Sequence, residues 1–170
     1  MAKKDDIGIV VDDNDNVIAY KKYTDMVHGE RRRITCTYIF NDAGELLVQQ
    51  RSKTKRVLPG YWGPSVSGGV ESHETYESNA LKEAEEELGL TNLDLKFHGS
   101  FPFDYESHKE MSGIFTAAWN GDPKTLTLQE SEVDDVRWIT LEELQKWLDT
   151  DIEKVAAGIP KQLKSIGYLN

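Results

Sequence analysis

One stretch, residues 68–90, constrains the fold of this chain more than any other part of the sequence. It opens on Ser67-Gly68-Gly69, which we interpret as a glycine loop, and it ends on Gly89 and Leu90. The residues between predict a helix, with Thr75 as its N-cap and Gly89 as the glycine that ends it. The stretch therefore predicts one loop-helix unit with a defined beginning and end.

Three glutamates lie on one face of the predicted helix. Glu83, Glu86 and Glu87 stand at positions i, i+3 and i+4, so their carboxylates project on the same side. Like charges repel unless a cation neutralises them, and carboxylate oxygens suit hard ions such as Mg²⁺ or Mn²⁺. A solvated acidic face is the alternative interpretation. The opposite face suits packing against a sheet, and it carries Tyr76, Ala80, Leu81, Ala84 and Leu88.

The spacing around these glutamates resembles the signature of the Nudix hydrolases, G-x5-E-x7-R-E-U-x-E-E-x-G-U, in which U is a bulky aliphatic residue. Two positions depart from it, because Lys82 stands in place of Arg and Ala84 in place of a larger aliphatic residue. A spacing that holds over a complete loop and helix is a specific signal. The matching positions are Gly68, Glu74, Glu83, Glu86, Glu87, Gly89 and Leu90.

The resemblance implies an α/β fold, the Nudix α/β/α sandwich with a mixed β-sheet, formed by residues 1–170 as a single domain. The N-terminal hairpin is expected at about 7–20, the Nudix box at 68–90 and C-terminal helices at about 140–167. Thr140-x-x-Glu143 predicts a capping box for a helix through Leu148. Thr150-x-x-Glu153 predicts a second helix, which Gly158 and Pro160 interrupt. Further strands are predicted at 34–40, 46–51, 92–104, 112–119 and 133–139.

The same resemblance implies divalent-metal-dependent hydrolysis of a diphosphate linkage, in a nucleoside diphosphate derivative or a similar organic diphosphate. In that reading Glu83, Glu86 and Glu87 are the metal ligands, one of them serves as the base, and the Gly68 carbonyl is an extra ligand. Glu74 and Lys82 would orient the glutamates. The sequence leaves open which glutamate is the base and which substrate is cleaved.

A second segment, Gln50-Arg51-Ser52-x-x-Lys55 followed by Pro59-Gly60-x-Trp62-x-x-Ser65, looks like the branch of the family that contains isopentenyl-diphosphate isomerase and its hydrolase-like relatives. That likeness implies that Arg51 and Lys55 contact the diphosphate. The isomerases carry a catalytic Cys and a metal-binding His where this chain has Ser67 and Gly69. A serine hydroxyl is a far poorer acid or base than a thiol, and glycine has no side-chain ligand. The residues therefore favour the hydrolase-like side of the branch.

A further acidic ligand is expected from a later part of the chain. Glu110 sits where relatives in this branch place such a ligand, although a solvated loop glutamate is an equal alternative. Glu130 and Glu132 compete with Glu110 for the role, and the sequence does not decide among them. Diphosphate isomerase and a non-catalytic nucleotide-binding Nudix module remain as alternative functions.

The charge balance argues against a general nucleic-acid binder. The chain carries 30 acidic and 20 basic residues, a net charge of −10, and it shows no basic stripe. An acidic protein of this kind binds phosphorylated substrates with the help of a cation. Five basic residues lie within residues 21–33, either as a solvated linker or as a local positive patch facing a substrate phosphate. They are Lys21, Lys22, Arg31, Arg32 and Arg33.

The remaining features concern location and partners. A single cysteine, Cys36, excludes an internal disulfide, and its apolar neighbours predict a buried strand residue. The chain shows no signal peptide and no apolar run of membrane-spanning length, so a cytoplasmic location is expected. We expect a small-molecule diphosphate as partner, with no nucleic-acid polymer and no membrane. The Nudix fold often forms homodimers, and the sequence leaves the oligomeric state open.

Overall fold

The computed structural model describes residues 6–170. Within them the chain forms nine β-strands, three α-helices and two short 3₁₀ helices. The strands are β1 (Ile7–Val11), β2 (Val17–Lys22), β3 (Arg31–Phe40), β4 (Leu46–Arg51), β5 (Trp62–Gly63), β6 (Val66–Gly69), β7 (Lys96–Asp104), β8 (Lys109–Ala118) and β9 (Val133–Ile139). The helices are α1 (Tyr76–Leu88), α2 (Leu141–Thr150) and α3 (Gly158–Ser165).

Strand β3 lies at the centre of one mixed sheet. It pairs with β8 in parallel along its whole length, from Arg31 opposite Lys109 to Phe40 opposite Ala118. It pairs antiparallel with β1, β4 and β6, while β9 extends the sheet from β4 and β7 extends it from β8. The expected mixed sheet is confirmed.

Helices cover both faces of this sheet. Successive side chains of a strand point to opposite faces, and on β3 Tyr38 and Ile39 belong to different buried clusters. The cluster of Tyr38 includes Leu144 of α2 and residues of α3. The cluster of Ile39 includes Ala84 and Leu88 of α1. The result is the expected α/β/α sandwich.

Helix α1 has the ends that the sequence predicted. The Thr75 hydroxyl accepts a hydrogen bond from the Ser78 backbone N–H, and Gly89 adopts a left-handed conformation with φ of 68°. The predicted apolar face is wrong for Leu81, which is exposed. The other aliphatic residues of that face, Ala80, Ala84 and Leu88, are buried. Leu81 directly follows Ala80 in the helix and is rotated away from a stripe whose members are four residues apart.

The predicted glycine loop at residues 67–69 is wrong, because these residues belong to strand β6. Ser67, Gly68 and Gly69 pair with Cys36, Thr35 and Ile34 of β3. The central strand offers partners for their backbone groups, and buried backbone N–H and C=O groups are nearly always paired. The Nudix box therefore begins on the sheet, next to its central strand.

The N-terminal hairpin and the strands after the Nudix box lie near their predicted positions, with some differences in where they begin. Strands β1 and β2 form an antiparallel hairpin around the turn at residues 12–16, and β7 begins at Lys96 rather than at residue 92. Strand β8 begins three residues before the predicted 112, because its pairing with β3 runs on to Lys109. None of the helices in residues 6–170 is both long and apolar enough to cross a bilayer.

The C-terminal helices correct one prediction. The capping box of Thr140 and Glu143 is present and opens α2. The helix predicted to start at Thr150 is absent, because the chain after Asp151 runs beside Trp62. The Trp62 N–H donates to the Lys154 carbonyl (2.7 Å), and the Trp62 carbonyl accepts from the N–H of residue 156 (2.8 Å). Backbone groups used in this way cannot form helical bonds. Helix α3 begins at residue 158 and carries its proline in the first turn, where no N–H partner is lost.

Candidate active site

The structure places Gly68 directly beneath the carboxylate of Glu83. A Cβ atom at position 68 would lie 2.3 Å from Glu83 Cδ and 2.5 Å from Glu83 Oε1. Only a residue without a side chain leaves room for this approach between β6 and α1. The Gly68 carbonyl also accepts a long hydrogen bond of 3.5 Å from the Thr35 hydroxyl. The first glycine of the box is therefore needed for the position of the first helix glutamate.

The helix glutamates differ in their exposure to solvent. Glu86 is exposed, whereas Glu87 is buried with 4% of its surface accessible. Burial raises the pKa of Glu83 to about 7, with the Lys82 charge lowering it and the Glu86 charge raising it further. Burial raises the pKa of Glu87 well above its ordinary value, and repulsion from Glu83 and Glu132 adds to that shift. Two carboxyl groups in this site are thus poised to bind a proton or a cation.

Gln49 orients Glu87, the least exposed of the helix glutamates. Its Nε2 donates a hydrogen bond of 2.8 Å to Glu87 Oε2. Gln49 is itself 2% exposed and lies on β4. No sequence pattern pointed to Gln49, because β4 ends in three polar residues and only the fold shows which of them is buried.

Lys82 bridges three carboxylates at the start of the helix face. Its Nζ lies 2.6 Å from Glu74 Oε1, 3.1 Å from Glu71 Oε1 and 3.8 Å from Glu83 Oε1. Burial opposes the ammonium charge, yet the bonds to Glu74 and Glu71 raise the pKa of Lys82 above its usual range. Lys82 therefore holds two carboxylates of the loop beside the helix, and Glu71 is a partner that the sequence analysis missed.

Asn79 connects the same carboxylates to the sheet. Its Nδ2 donates to Glu74 Oε2 at 2.8 Å and to the Gly69 carbonyl at 3.0 Å, while its Oδ1 accepts a 2.5 Å hydrogen bond from the Thr35 hydroxyl. Burial alone would raise the pKa of Glu74, but the hydrogen bonds from Lys82, the Glu71 backbone and Asn79 lower it below its ordinary value. Asn79 occupies a variable position of the signature, so the motif gave no sign of it.

Lys55 and Arg51 lie at the same opening as the glutamates. Lys55 forms an ion pair with Glu132 at 2.5 Å, and Arg51 Nε donates to the Val57 carbonyl at 3.2 Å. Glu132 is 6% exposed and its charge acts on Glu87, whereas Glu130 is exposed. Of the late acids, Glu132 is thus the one next to the helix carboxylates.

Glu110 lies in a different part of the same opening. It is 8% exposed on β8, and its Oε1 accepts a hydrogen bond of 2.7 Å from His108 Nε2. Its Oε2 accepts a long contact of 3.4 Å from the Ser112 hydroxyl. The structure therefore gives this carboxylate a histidine partner rather than a place among the glutamates of α1.

The basic residues at 21–33 form neither a solvated linker nor a single patch. Lys21 pairs with Glu30, Arg31 with Asp13 and Asp104, and Arg33 with Asp15. Arg32 differs, because it lines the opening and its buried Nε has no hydrogen-bond partner among the described residues. Only this arginine of the cluster matches the predicted cation facing a substrate. His28, close to these basic residues in sequence, is exposed.

These side chains surround one cleft of about 930 Å³, which is within the size range of small-molecule sites. Glu74 lies behind Lys82 and takes no part in the lining. Arg32, Glu132 and His108 join the lining in addition to the residues that the sequence assigned. Of the residues predicted for the site, the lining includes Gly68, Lys82, Glu83, Glu86, Glu87, Arg51, Lys55 and Glu110.

The donor set of the cleft fits a hard divalent cation. Within residues 6–170, no three His, Cys, Asp or Glu side chains are already gathered tightly enough to hold a metal ion. Glu83 and Glu87 are nevertheless carboxylates whose charged forms burial and repulsion disfavour. A cation beside them would stabilise those charges, and oxygen ligands are the ones that Mg²⁺ and Mn²⁺ prefer.

Comparison with known proteins identifies the family. The family model of the NUDIX domain matches residues 30–159, and the chain belongs to the Nudix family. Hydrolysis of phosphorus-containing anhydrides is the general reaction of that family. The matches do not single out the branch that contains the isomerases, so that part of the resemblance stays a prediction.

Two curated relatives are similar over much of the chain. An uncharacterized Nudix hydrolase of Pseudomonas aeruginosa, PA4841, is 39% identical over 107 residues, which are 63% of this chain and 62% of that protein. The chain therefore spans just under two thirds of the length of the Pseudomonas protein. An uncharacterized Nudix hydrolase of Yersinia pestis is 35% identical over 137 residues, 79% of this chain and 73% of that protein.

Solved structures share the fold. DR0079 from Deinococcus radiodurans superposes with a TM-score of 0.80 at 22% identity, covering 95% of this chain and 99% of that one. The NUDIX domain of Shewanella oneidensis NrtR, solved as a complex with ADP ribose, superposes with a TM-score of 0.62 at 15% identity, covering 78% and 84%. At these identities the likeness concerns the fold alone.

Proposed function

We propose that the protein is a divalent-metal-dependent hydrolase that cleaves a diphosphate linkage in a nucleoside diphosphate derivative or a similar organic diphosphate. One observation carries this proposal: the half-buried carboxylate of Glu83 and the buried carboxylate of Glu87 open on the same cleft as the cations of Arg32, Arg51 and Lys55. Negative groups that bind a metal and positive groups that bind phosphate thus face a common space.

The helix carboxylates would hold the metal. Glu83, Glu86 and Glu87 provide oxygen ligands for Mg²⁺ or Mn²⁺, and the Gly68 carbonyl provides another. An ion bound there would neutralise diphosphate charge and lower the pKa of the attacking water. We do not include Glu110 in this set, because its carboxylate belongs to β8, where it lies beside His108, and not to the glutamate face of α1.

The chain's own groups position the water and take its proton. Glu87 is held by Gln49, and Glu83 is held over Gly68 with Lys82 nearby. One of these two glutamates accepts the proton of the attacking water, since a base must combine proton affinity with a fixed position. Lys82 and Asn79 keep the surrounding carboxylates in place, as partners of ligands commonly do at metal sites.

The basic side chains would bind the diphosphate. Arg51 and Lys55 line the cleft, where the resemblance expects phosphate contacts, and Arg32 adds a guanidinium whose Nε has no hydrogen-bond partner among the described residues. Arginine binds phosphate oxygens through a planar fork of N–H groups, which fixes orientation as well as charge. An acidic protein needs such local cations to hold an anionic substrate.

The isomerase alternative is disfavoured by the space around Gly69. The Tyr23 hydroxyl lies 2.2 Å from the point where a Cβ of residue 69 would stand. A histidine at that position, the metal ligand of the isomerases, would collide with Tyr23. Ser67 lines the cleft as a hydroxyl and not as a thiol. The catalytic set of an isomerase is thus incomplete in two places.

A turnover screen tests the proposed function. Purified protein with Mg²⁺ or Mn²⁺ is offered dinucleotides, nucleotide sugars, ADP ribose and prenyl diphosphates, and released phosphate compounds are measured. ADP ribose is included because the Shewanella domain binds it. We expect metal-dependent cleavage of at least one nucleoside diphosphate derivative, abolished in Glu87→Gln. Turnover that persists in that variant, or no cleavage in the whole panel, would contradict the proposal.

The cytoplasmic location stays a prediction.

A further inference from the structure

We infer that the part of the cleft beside β8 and α3, here called the β8 subsite and formed by Tyr105, His108, Glu110 and Gln162, binds the hydroxyl groups of the moiety attached to the diphosphate. The inference rests on the proposed function and narrows its substrate class to diphosphates that carry a polyhydroxylated group, such as a ribose or another sugar. Prenyl diphosphates, which lack hydroxyl groups, are then poor ligands.

The first argument concerns a buried carboxylate with acceptor capacity to spare. Glu110 is 8% exposed, and its ion-pair partner within the described residues is His108. A carboxylate offers about four acceptor positions, while His108 and the long Ser112 contact use one on each oxygen. The remaining positions can accept hydrogen bonds from two neighbouring hydroxyl groups.

The second argument concerns a buried amide whose orientation is fixed. The Tyr38 hydroxyl donates to Gln162 Oε1 at 2.6 Å, so the Nε2 group is the donor end of the amide. Its contact with the Ser112 hydroxyl is 3.5 Å, the limit of a hydrogen bond. Gln162 is 2% exposed and lines the cleft, so it presents donor capacity where little water competes.

The third argument concerns the Tyr105 hydroxyl. It is buried near Gln162 but makes no hydrogen bond of ordinary geometry within residues 6–170. The two groups converge at Gly158, where a Cβ would lie 3.1 Å from the Tyr105 hydroxyl and 3.3 Å from Gln162 Nε2. A buried hydroxyl without a partner is costly, so its retention at the wall of a cleft is explained by a ligand that completes the bond.

Together these groups form the complement of a polyol. Glu110 accepts, Gln162 donates and Tyr105 does both, which matches hydroxyl groups that are themselves donors and acceptors. The Tyr105 ring is held in place by stacking on His108 at 5.0 Å and by the Lys161 ammonium, which lies 4.7 Å from the ring centroid. An apolar chain in this place would leave the same groups unpaired, and a site of that kind discriminates strongly against it.

Binding and turnover measurements test the β8 subsite. Calorimetric titrations in excess EDTA compare ADP ribose, ADP and isopentenyl diphosphate on the wild type and on Tyr105→Phe and Glu110→Gln. We expect the wild type to bind ADP ribose most tightly, and each variant to lose about 10-fold of that affinity while its affinity for isopentenyl diphosphate is unchanged. The matched controls Tyr20→Phe and Glu142→Gln alter exposed residues outside the cleft and should change neither.

Three results would overturn the subsite. The first is a wild type that binds ADP ribose and isopentenyl diphosphate with equal affinity, and the second is a variant that loses affinity for both ligands equally. The third is a Glu110→Gln variant that changes the half-saturating Mg²⁺ concentration in the turnover assay but not the affinity for ADP ribose. The last result would make Glu110 a metal ligand. If ADP ribose binds as expected but is not cleaved with Mg²⁺ or Mn²⁺, the β8 subsite stands while the proposed hydrolysis fails for that compound.

Discussion

Lys82 and Glu74 are joined by a contact of 2.6 Å, which replaces the arginine fork of the Nudix signature with a single ammonium. The same ammonium also reaches Glu71 and Glu83. Lysine is a point donor on a flexible stem, so it supplies the charge but fixes geometry less firmly than arginine. The departure from the signature at this position is therefore one of degree.

We expect Lys82→Ala to lower kcat/KM by ~10–100-fold, because a partner that orients metal ligands is lost. Lys82→Arg should preserve or raise kcat/KM, since the charge remains and the fork is restored. The three proteins are compared at saturating Mg²⁺ on a confirmed substrate, with folding checked by circular dichroism. A Lys82→Ala variant as active as the wild type would show that position 82 has no such role.

Glu86→Gln and Glu87→Gln should each reduce kcat by ~10²-fold or more, because a ligand and its charge are removed together. Glu85→Gln is the matched control, since Glu85 is exposed on the same helix and lies outside the cleft lining. Turnover is measured over a range of Mg²⁺ concentrations. Wild-type turnover in both cleft variants would refute the assignment of the helix face.

The metal-free protein should lose stability as pH rises from about 4.5 to about 7. Burial raises the Glu83 pKa to about 7, so between these values the folded state binds more protons than the unfolded state, and the free energy of unfolding falls with rising pH. The full shift corresponds to roughly 3 kcal/mol at most. Urea unfolding in EDTA at several pH values measures the slope.

Two comparisons isolate this effect. Glu83→Gln should flatten the slope, and the difference between it and the wild type cancels other titrating groups such as His98, whose pKa burial lowers. Millimolar Mg²⁺ or Mn²⁺ at pH 8 should raise the Tm of the wild type by relieving repulsion among the helix carboxylates. An equal slope in both proteins, or a Tm that does not respond to either ion, would be inconsistent with a cation site there.

Gly68→Ala should displace the Glu83 carboxylate, because the new methyl group would stand 2.3 Å from its Cδ. We expect a loss of ~10–100-fold in kcat, as for a misplaced catalytic group, and about 1–3 kcal/mol of stability. For stability, Gly63→Ala is the control, since its nearest neighbour is at 3.8 Å. An unaltered kcat in Gly68→Ala would mean that the close approach has no catalytic purpose.

Arg32→Gln should raise KM for the diphosphate substrate by ~10-fold or more with little change in kcat, because a charged hydrogen bond to the bound anion is lost. Arg32→Lys should lie between the variant and the wild type. Lys96→Gln removes a positive charge at an exposed position outside the cleft and controls for net charge. If Lys96→Gln raises KM as much, the effect is long-range electrostatics and not contact.

The sequence predicted those parts of the site that lie within one local unit. The signature spacing defined the helix, its caps and the face of Glu83, Glu86 and Glu87, because helical geometry follows from residues a few positions apart. The partners Gln49 and Asn79 were missed, since their roles depend on how β4 and β6 meet α1. The contact between Gln49 and Glu87 joins segments 38 residues apart, and Asn79 occupies a variable position of the signature, so no local pattern pointed to either residue.

The same limit explains the errors in the fold. The capping pattern at Thr150 is a genuine local signal, yet the backbone of Trp62 recruits residues 154–156 and prevents a helix there. The two glycines of the box suggested a loop, and β3 turned them into a strand by pairing with them. Among five basic residues at 21–33, the alternation of β3 alone decided that Arg32 faces the cleft. In each case tertiary contacts overrode local preference.

The parallel pairing of β3 with β8 has a consequence for how the protein reaches its native state. Arg31 and its partner Lys109 are seventy-eight positions apart in the sequence, and both strands contribute residues to the cleft. Contacts of such long range must overcome a large loop-closure entropy, and they slow folding. During synthesis, the Nudix helix leaves the ribosome before β8 does. Until β8 has emerged and paired with β3, the cleft is incomplete, so substrate binding becomes possible only late in assembly.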